Sequence, residues 1–142
     1  MKHFPNFLYP ERLPEWISSM IMLLLGVSFL LPGETLSITG YHTLEEIGFT
    51  DTSMGLTAVA VGVLRLAALY INGAWERTPA IRMVGAVLSG FIMMAFAIGT
   101  AVPFVIGDMP PNTAWGTYLV IALWDLHASY KAGYDARYIH NR

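Results

Sequence analysis

The chain has 142 residues, of which 55% are apolar and 13% are charged, and its formal net charge is −2 at pH 7. This composition excludes a disordered chain and is not that of a typical soluble domain. The Lys and Arg residues are spread over separate segments, so no clustered basic face is available to a nucleic-acid partner. The absence of cysteine rules out disulfides, thiolate metal sites and a cysteine nucleophile.

Four apolar stretches fill most of the sequence. A bilayer core about 30 Å thick is crossed by roughly 20 helical residues, and each stretch with its flanks is long enough. The predicted spans are approximately 16–32, 54–72, 82–106 and 114–131. The sequence therefore predicts an all-α polytopic membrane protein, a four-transmembrane-helix bundle that forms one domain over residues 1–142, with the lipid bilayer as a partner.

The segments outside the spans differ in charge. Basic residues occur before the first span, between the second and third, and after the fourth, as Lys2, Arg12, Arg77, Arg82, Lys131, Arg137 and Arg142. The other two loops contain acidic residues and no Lys or Arg. By the positive-inside rule, both termini are expected in the cytoplasm.

Helix boundaries and interface anchors are expected between the spans. Residues Asp51, Thr52 and Ser53 should cap the second helix, and Asn72-Gly73 should close it. The segment from Tyr41 to Phe49 places apolar residues opposite acidic ones, which predicts a short surface helix or a solvated turn. Aromatic side chains at the span ends are predicted to anchor in the headgroups, namely Trp16, Trp75, Trp115 and Tyr130.

The sharpest chemical feature is a pair of opposite charges at matching depth. Arg65 follows Gly55 by ten residues on the second span, and Asp125 follows Gly116 by nine on the fourth, with both spans running outside to inside. Each is the best partner for the other, because a lone charge near the centre of a span costs about 2.5–3.5 kcal/mol. Three roles remain open: an ion pair that fixes helix packing, part of an ion or proton pathway, or an Arg65 that snorkels to the interface alone.

His127 lies two residues beyond Asp125, on a different face of the same predicted helix. It can serve as a proton relay or simply form a hydrogen bond at the interface. The four histidines show no metal-ligand spacing and lie on both sides of the membrane, so neither a metal site nor a haem cofactor is predicted.

Small residues recur at four-residue spacing on two spans, which lets helix backbones approach closely. The second span carries Ala58 with Gly62, and the third carries Gly85 with Ser89, Ala86 with Gly90, and Ala95 with Gly99. These faces can pack helices within one subunit or between the subunits of a homo-oligomer.

Two segments of the chain resemble each other. Residues 51–55 and 112–116 enter the second and fourth spans with similar capping residues and a following glycine, and Tyr70 and Gly73 match Tyr130 and Gly133. Either two helical hairpins are related by a parallel repeat, or capping chemistry and aromatic belts alone produce the similarity.

Catalysis is not expected. No nucleophile with a base at usable spacing is present, no glycine-rich phosphate loop follows a strand, and the hydrophilic segments are too short for a catalytic domain. The sequence therefore predicts a protein that is not an enzyme and needs no cofactor.

Parts of the chain resemble small four-span membrane proteins encoded by tailed bacteriophages. The resemblance rests on Leu31 to Thr35, the run Arg65 to Trp75 followed by Thr78-Pro79 and Arg82, and the segments Trp124-Asp125 and Tyr130 to Ala132. It implies a phage or prophage origin and the bacterial inner membrane, and it transfers no catalytic residue. Some such proteins are holins, which oligomerise and permeabilise the host membrane, although a holin tail is commonly more basic than residues 131–142.

Three functional classes follow. The first, which we expect, is a phage-type membrane protein that self-associates in the bilayer and is holin-like in permeabilising it. The second is a non-enzymatic structural or interaction subunit that recruits a partner through the acidic outer loop or the cytoplasmic loop Trp75 to Arg82. The third is a small ion or proton conductor that uses Asp125 and His127 and requires an oligomer.

Overall fold

A computed structural model of the chain describes residues 12–37, 40–71 and 78–140. These residues form helices and loops, with no strand among them. The helices are α1 (Leu13–Leu30), α2 (His42–Glu46), α3 (Asp51–Tyr70), α4 (Thr78–Val105) and α5 (Ala114–His140). The all-α prediction is therefore confirmed over the described part of the chain.

Three of the helices, α1, α3 and α4, are long and apolar enough to cross a membrane. They begin at residues 13, 51 and 78, slightly before the predicted starts of the corresponding spans. Helix α5 has 27 residues and extends to His140, well past the predicted end at 131. It is long enough to span but less apolar, because the stretch 114–131 includes Asp125, His127 and Lys131. The structure thus supports a membrane protein with three candidate spans.

The cap of α3 differs from the one predicted. Thr50 is the N-cap residue, and its side chain and that of Ser53 each accept a bond from the other's backbone nitrogen, forming a capping box. The Asp51 carboxylate accepts instead from the backbone nitrogen of Leu36 at 3.1 Å, which ties the preceding loop to the helix. The N-cap therefore lies at Thr50, one residue before the predicted capping segment, and Ser53 of that segment takes part in the cap. The predicted closing pair Asn72-Gly73 lies outside the described residues.

The short helix α2 is more than a solvated turn. Leu44 is buried and packs over Gly99 of α4, where an added β-carbon would come within 2.7 Å of the leucine side chain. Ile47 remains exposed. Within α2, Leu44 is therefore the residue that packs into the bundle, against α4.

Neighbouring long helices run antiparallel. Between α1 and α3, Gly26 lies against Gly55 and Val59, and Leu23 lies against Gly62. Residue numbers in contact therefore fall along α1 as they rise along α3. A β-carbon at Gly26 would lie 2.6 Å from the backbone nitrogen of Val59, which explains why only glycine permits this approach.

The same antiparallel pattern joins α4 to α5, where Phe96 contacts Tyr118 near one end and Met83 contacts Gly133 near the other. Helix α3 also packs along α4, whereas α1 touches α5 only over a short stretch. The four long helices meet around a core made of Met22, Ala58, Val61, Met93 and Ala122. The chain therefore forms a first hairpin (α1, α3) and a second hairpin (α4, α5), which face each other across that core.

A groove of about 280 Å³ separates α1 from α5 where their contact is short. Its walls are apolar side chains that include Ile17, Ile21, Val120 and Trp124, and it reaches Ser18. The outward surface elsewhere also presents large apolar side chains, as at Leu24, Leu56, Phe91 and Ile98. Such a surface suits lipid better than water.

Candidate functional site: a buried ion-pair network

The centre of the site is an ion pair between α3 and α5. Arg65 Nη2 lies 2.7 Å from Asp125 Oδ1, and Nη1 lies 3.0 Å from Oδ2. The guanidinium therefore donates two parallel hydrogen bonds to the carboxylate, an arrangement that only arginine provides. The two side chains are 3% and 0% exposed. The structure thus brings together the two charges that the sequence places at matching depth, and Arg65 does not extend to the interface alone.

Two serines complete the hydrogen bonding of Asp125. Ser18 of α1 donates to Oδ1 at 2.6 Å, and Ser89 of α4 donates to Oδ2. Arg65 Nη1 donates in turn to the oxygens of Ser18 and Ser89, at 3.1 and 2.6 Å. A carboxylate offers about four lone-pair positions, and these donors occupy all of them. Asp125 therefore has no acceptor position left for a substrate or a metal ion.

Gly85 on α4 makes room for the arginine. A β-carbon at Gly85 would lie 2.8 Å from Cγ of Arg65, so the aliphatic part of the side chain passes directly over this glycine. Ser89, one turn further along α4, then accepts from its guanidinium. The small pair Gly85 and Ser89 thus receives a long polar side chain, a use that the four-residue spacing did not indicate.

A second buried ion pair joins Glu15 of α1 to Arg82 of α4. Arg82 Nε donates to Oε2 of Glu15 at 3.0 Å, and Nη2 donates to Oε1. Both residues are buried, at 8% and 4% exposure. The sequence placed Arg82 where the predicted cytoplasmic loop meets the third span and assigned it no partner; in the structure it lies within α4, which begins at Thr78.

The sequence contains a signal that would have revealed this second pair. Glu15 and Ser18 are three residues apart, and Arg82, Gly85 and Ser89 follow the spacing of one helix face. Polar and small residues therefore form a stripe on each of two otherwise apolar helices. Opposite charges near the N-terminal ends of the first and third predicted spans then predict a contact.

Both ion pairs connect helices that are not packed side by side. The extensive interfaces are α1 with α3, α3 with α4, and α4 with α5. Glu15 to Arg82 joins α1 to α4, and Arg65 to Asp125 joins α3 to α5. Each pair therefore crosses the interior of the bundle and links the first hairpin to the second.

The proposed relay residue lies apart from this network. His127 is exposed on α5, whereas Asp125 is buried, so the two side chains point to different faces of the helix. Of the predicted interface anchors, Trp16 is half-buried, Trp115 and Tyr130 are exposed, and Trp75 lies outside the described residues.

The small-residue faces are largely occupied inside the chain. Ala58 and Ala86 are buried, Gly62 lies against the backbone of Leu23, and Gly90 lies close to α5. Gly99 receives Leu44, and Ala95 is half-buried. Packing within one subunit, one of the two alternatives left open by the spacing, therefore accounts for most of these residues.

Near the other end of the bundle, four aromatic rings pack together. Phe29 stacks on Phe96 with ring centroids 5.3 Å apart, and Tyr41 meets both rings edge-on. The hydroxyl groups of Tyr41 and Tyr118 share a hydrogen bond of 2.7 Å. This cluster ties the loop before α2 to α5 and closes the bundle at the end opposite the ion pairs.

No group of three or more metal-ligating carboxylate or imidazole side chains occurs within the described ranges. Comparison of the chain with models of known protein families, with curated proteins and with solved structures gives no match.

Proposed function

We propose that this protein crosses the bacterial inner membrane four times, with both termini in the cytoplasm. Helices α1, α3 and α4 supply three spans by length and hydropathy. The lower hydropathy of α5 comes partly from Asp125, whose charge is paired inside the bundle and does not face lipid. The antiparallel order of the helices and the one-sided distribution of Lys and Arg support this orientation.

Single-cysteine labelling tests this topology, because the natural chain has no cysteine. Cysteines placed at Ser37 and Asp108 should react with a membrane-impermeant maleimide in intact cells. Cysteines placed at Lys2 and Arg142 should react only after the membrane is opened. Labelling of positions 108 and 142 together in intact cells would place both ends of α5 outside and remove α5 as a span, and labelling of position 142 without positions 37 and 108 would reverse the proposed orientation.

We infer that the protein is a non-enzymatic structural or interaction subunit of the membrane. One observation supports this role above the others: the charged side chains buried among the described residues, Glu15, Arg65, Arg82 and Asp125, are all paired with one another. An interior whose charges are fully paired fixes the arrangement of helices and leaves no reactive or ion-conducting group exposed within the bundle. A partner would then bind to the loops between the helices.

Holin-like self-association, suggested by the resemblance to phage membrane proteins, is the alternative. Its main support in the sequence was the set of small-residue faces, most of which now pack within one chain. A ring of subunits would have to form through the outward surface of large apolar side chains.

Induced expression in a bacterial host distinguishes the two roles. Membrane potential is followed with a voltage-sensitive dye alongside culture density, and the protein is then purified in mild detergent. An unchanged potential together with a partner purified at fixed stoichiometry is the expected result. An abrupt loss of potential at a reproducible time after induction would replace the proposed role with the holin-like one.

A further inference from the structure

A cavity of about 680 Å³ lies between α4 and α5, near the ends of the helices that carry Met83 and Gly133. On the α4 side it is lined by Met83 and Val87. A volume of this size is typical of sites that hold a small molecule or a lipid segment. It is separate from the ion-pair network and plays no part in the role proposed above.

The two walls of this cavity differ in chemistry. The α4 wall offers the apolar side chains of Met83 and Val87, whereas α5 contributes the hydroxyl-bearing residues Ser129, Tyr130 and Tyr134, with Arg137 one turn further along. Tyr130 and Tyr134 are 75% and 53% exposed, and Arg137 is also exposed. Hydroxyl groups and a guanidinium are suitable donors to a phosphate, and the guanidinium adds the opposite charge. The cavity therefore combines an apolar wall with a polar, cationic rim.

The depth of this rim is set by the length of α5. If Trp115 lies at the outer interface, twenty residues of helix at about 1.5 Å each cover the hydrocarbon core of about 30 Å and bring the inner interface to Tyr134. Arg137 then lies one turn further, among the cytoplasmic headgroups. This step rests on the proposed topology, in which α5 spans the membrane from outside to inside.

We propose that this cavity binds an anionic phospholipid of the cytoplasmic leaflet. Arg137 pairs with the phosphodiester, Tyr130 donates a hydrogen bond to the headgroup, and an acyl chain lies against Met83 and Val87. Basic pockets between transmembrane helices on the cytoplasmic side are suited to such headgroups, since both the surface charge and the apolar depth match a lipid.

Binding is tested with the full-length protein purified in a neutral detergent. Thermal unfolding is followed while phosphatidylglycerol, phosphatidylcholine or inorganic phosphate is added. Phosphatidylglycerol should raise the unfolding midpoint in a saturable manner, because a ligand that binds only the folded state stabilises it. Phosphatidylcholine and inorganic phosphate should have little effect. If phosphatidylcholine raises the midpoint as much as phosphatidylglycerol does, the proposal is overturned. If inorganic phosphate raises it as much as phosphatidylglycerol does, the rim binds a soluble anion and the lipid assignment is overturned.

Two variants and a matched control locate the site. Arg137→Gln should weaken phosphatidylglycerol binding about fivefold, the loss expected for one cation near the headgroups. Val87→Trp should weaken binding by filling the cavity without changing charge. Lys131→Gln removes the same charge from the same helix at a position that does not line the cavity, and it should change the affinity little. Equal losses in Arg137→Gln and Lys131→Gln would show general charge attraction and no site.

This test can fail independently of the proposed topology and role. It is performed in detergent, where no membrane side is defined, whereas cysteine labelling reports the topology in cells. Loss of the lipid effect with the expected labelling pattern would overturn the lipid site alone.

Discussion

Asp125 and Arg65 show how a charge can be accommodated in the apolar part of a bundle. Each atom of the carboxylate that can accept a hydrogen bond has a donor, and the arginine reaches it over the bare surface of Gly85. Removing one member leaves the other charge buried without its partner, which is more costly than removing both. The residue scale therefore predicts strong coupling between the two positions.

We expect Arg65→Leu and Asp125→Leu to lower the free energy of unfolding by about 3–5 kcal/mol each, because each leaves an uncompensated buried charge. The double variant should recover most of this loss. In it, Ser18 and Ser89 can turn their hydroxyls to backbone carbonyls of the preceding turn. Denaturant unfolding in detergent gives the four free energies of the cycle.

If the two single losses simply add in the double variant, the ion pair contributes no interaction energy and the network is not what holds α3 to α5. A second cycle with Glu15→Leu and Arg82→Leu gives the same comparison for the pair that joins α1 to α4.

At the scale of elements, the α1–α3 interface depends on three glycines, and the sequence pattern assigned a packing role to only one of them, Gly62. Gly26 and Gly55 bring the two backbones together. Gly62 continues this contact toward the C-terminal end of α3, where it lies against the backbone of Leu23 in α1. Of the three atoms nearest to an added methyl group at Gly26, two belong to the backbone of α3, namely the Val59 nitrogen and the Gly55 oxygen, and these cannot move aside as a side chain can. Close packing of this hairpin is therefore set by backbone shape.

We expect Gly26→Ala to destabilise the protein by about 1–3 kcal/mol, the range for overpacking a tight contact. Gly116→Ala is the matched control, because Gly116 lies in helix α5 and nothing is within 4 Å of an added β-carbon. Alanine is the better helix former, so this variant should be neutral or slightly more stable. The two unfolding midpoints, measured in the same detergent, check the contrast.

Equal effects of the two substitutions would mean that α1 and α3 do not approach as closely as described. A loss at Gly116 alone would instead point to a contact on the outer surface of α5.

At the scale of the whole molecule, the chain consists of two antiparallel hairpins with different internal contacts. The first is closed by glycine backbones, and the second by the contacts of α4 with α5 that include Phe96 with Tyr118. The ion pairs run from one hairpin to the other. Assembly of the molecule should therefore depend on charge where the hairpins meet and on shape within each hairpin.

Co-expression of the chain as two halves, divided after Ala74, tests whether the ion pairs hold the two hairpins together. The halves should purify together. Asp125→Leu in the second half should prevent this, and Arg65→Leu in the first half should restore it, because neither half then carries an unpaired member of this pair. His127→Leu, a change at an exposed position of the same helix, should have no effect. Joint purification that is insensitive to Asp125→Leu would assign the contact between the halves to apolar packing.

Several features of this protein follow from the sequence alone. The positions of the long helices follow from the lengths of the apolar stretches, and the common depth of Arg65 and Asp125 follows from the fixed rise of a helix. These are local properties, set by bonds and hydropathy within one segment. The N-cap of α3 is Thr50, one residue before the predicted capping residues, of which Ser53 takes part in the cap. The bond from Leu36 to Asp51 joins two different segments, so no local pattern could indicate it.

Tertiary structure decided which face of each helix meets which neighbour. Gly85 and Ser89 have the spacing of a helix-packing motif, yet they receive the side chain of Arg65. Arg82 was predicted at the boundary of a loop and the third span with no partner assigned, yet it pairs with Glu15 inside the bundle. The rotation of a helix about its axis and the choice of partners depend on the simultaneous packing of all the helices, since a buried charge or a small side chain gains its role only from the atoms that surround it.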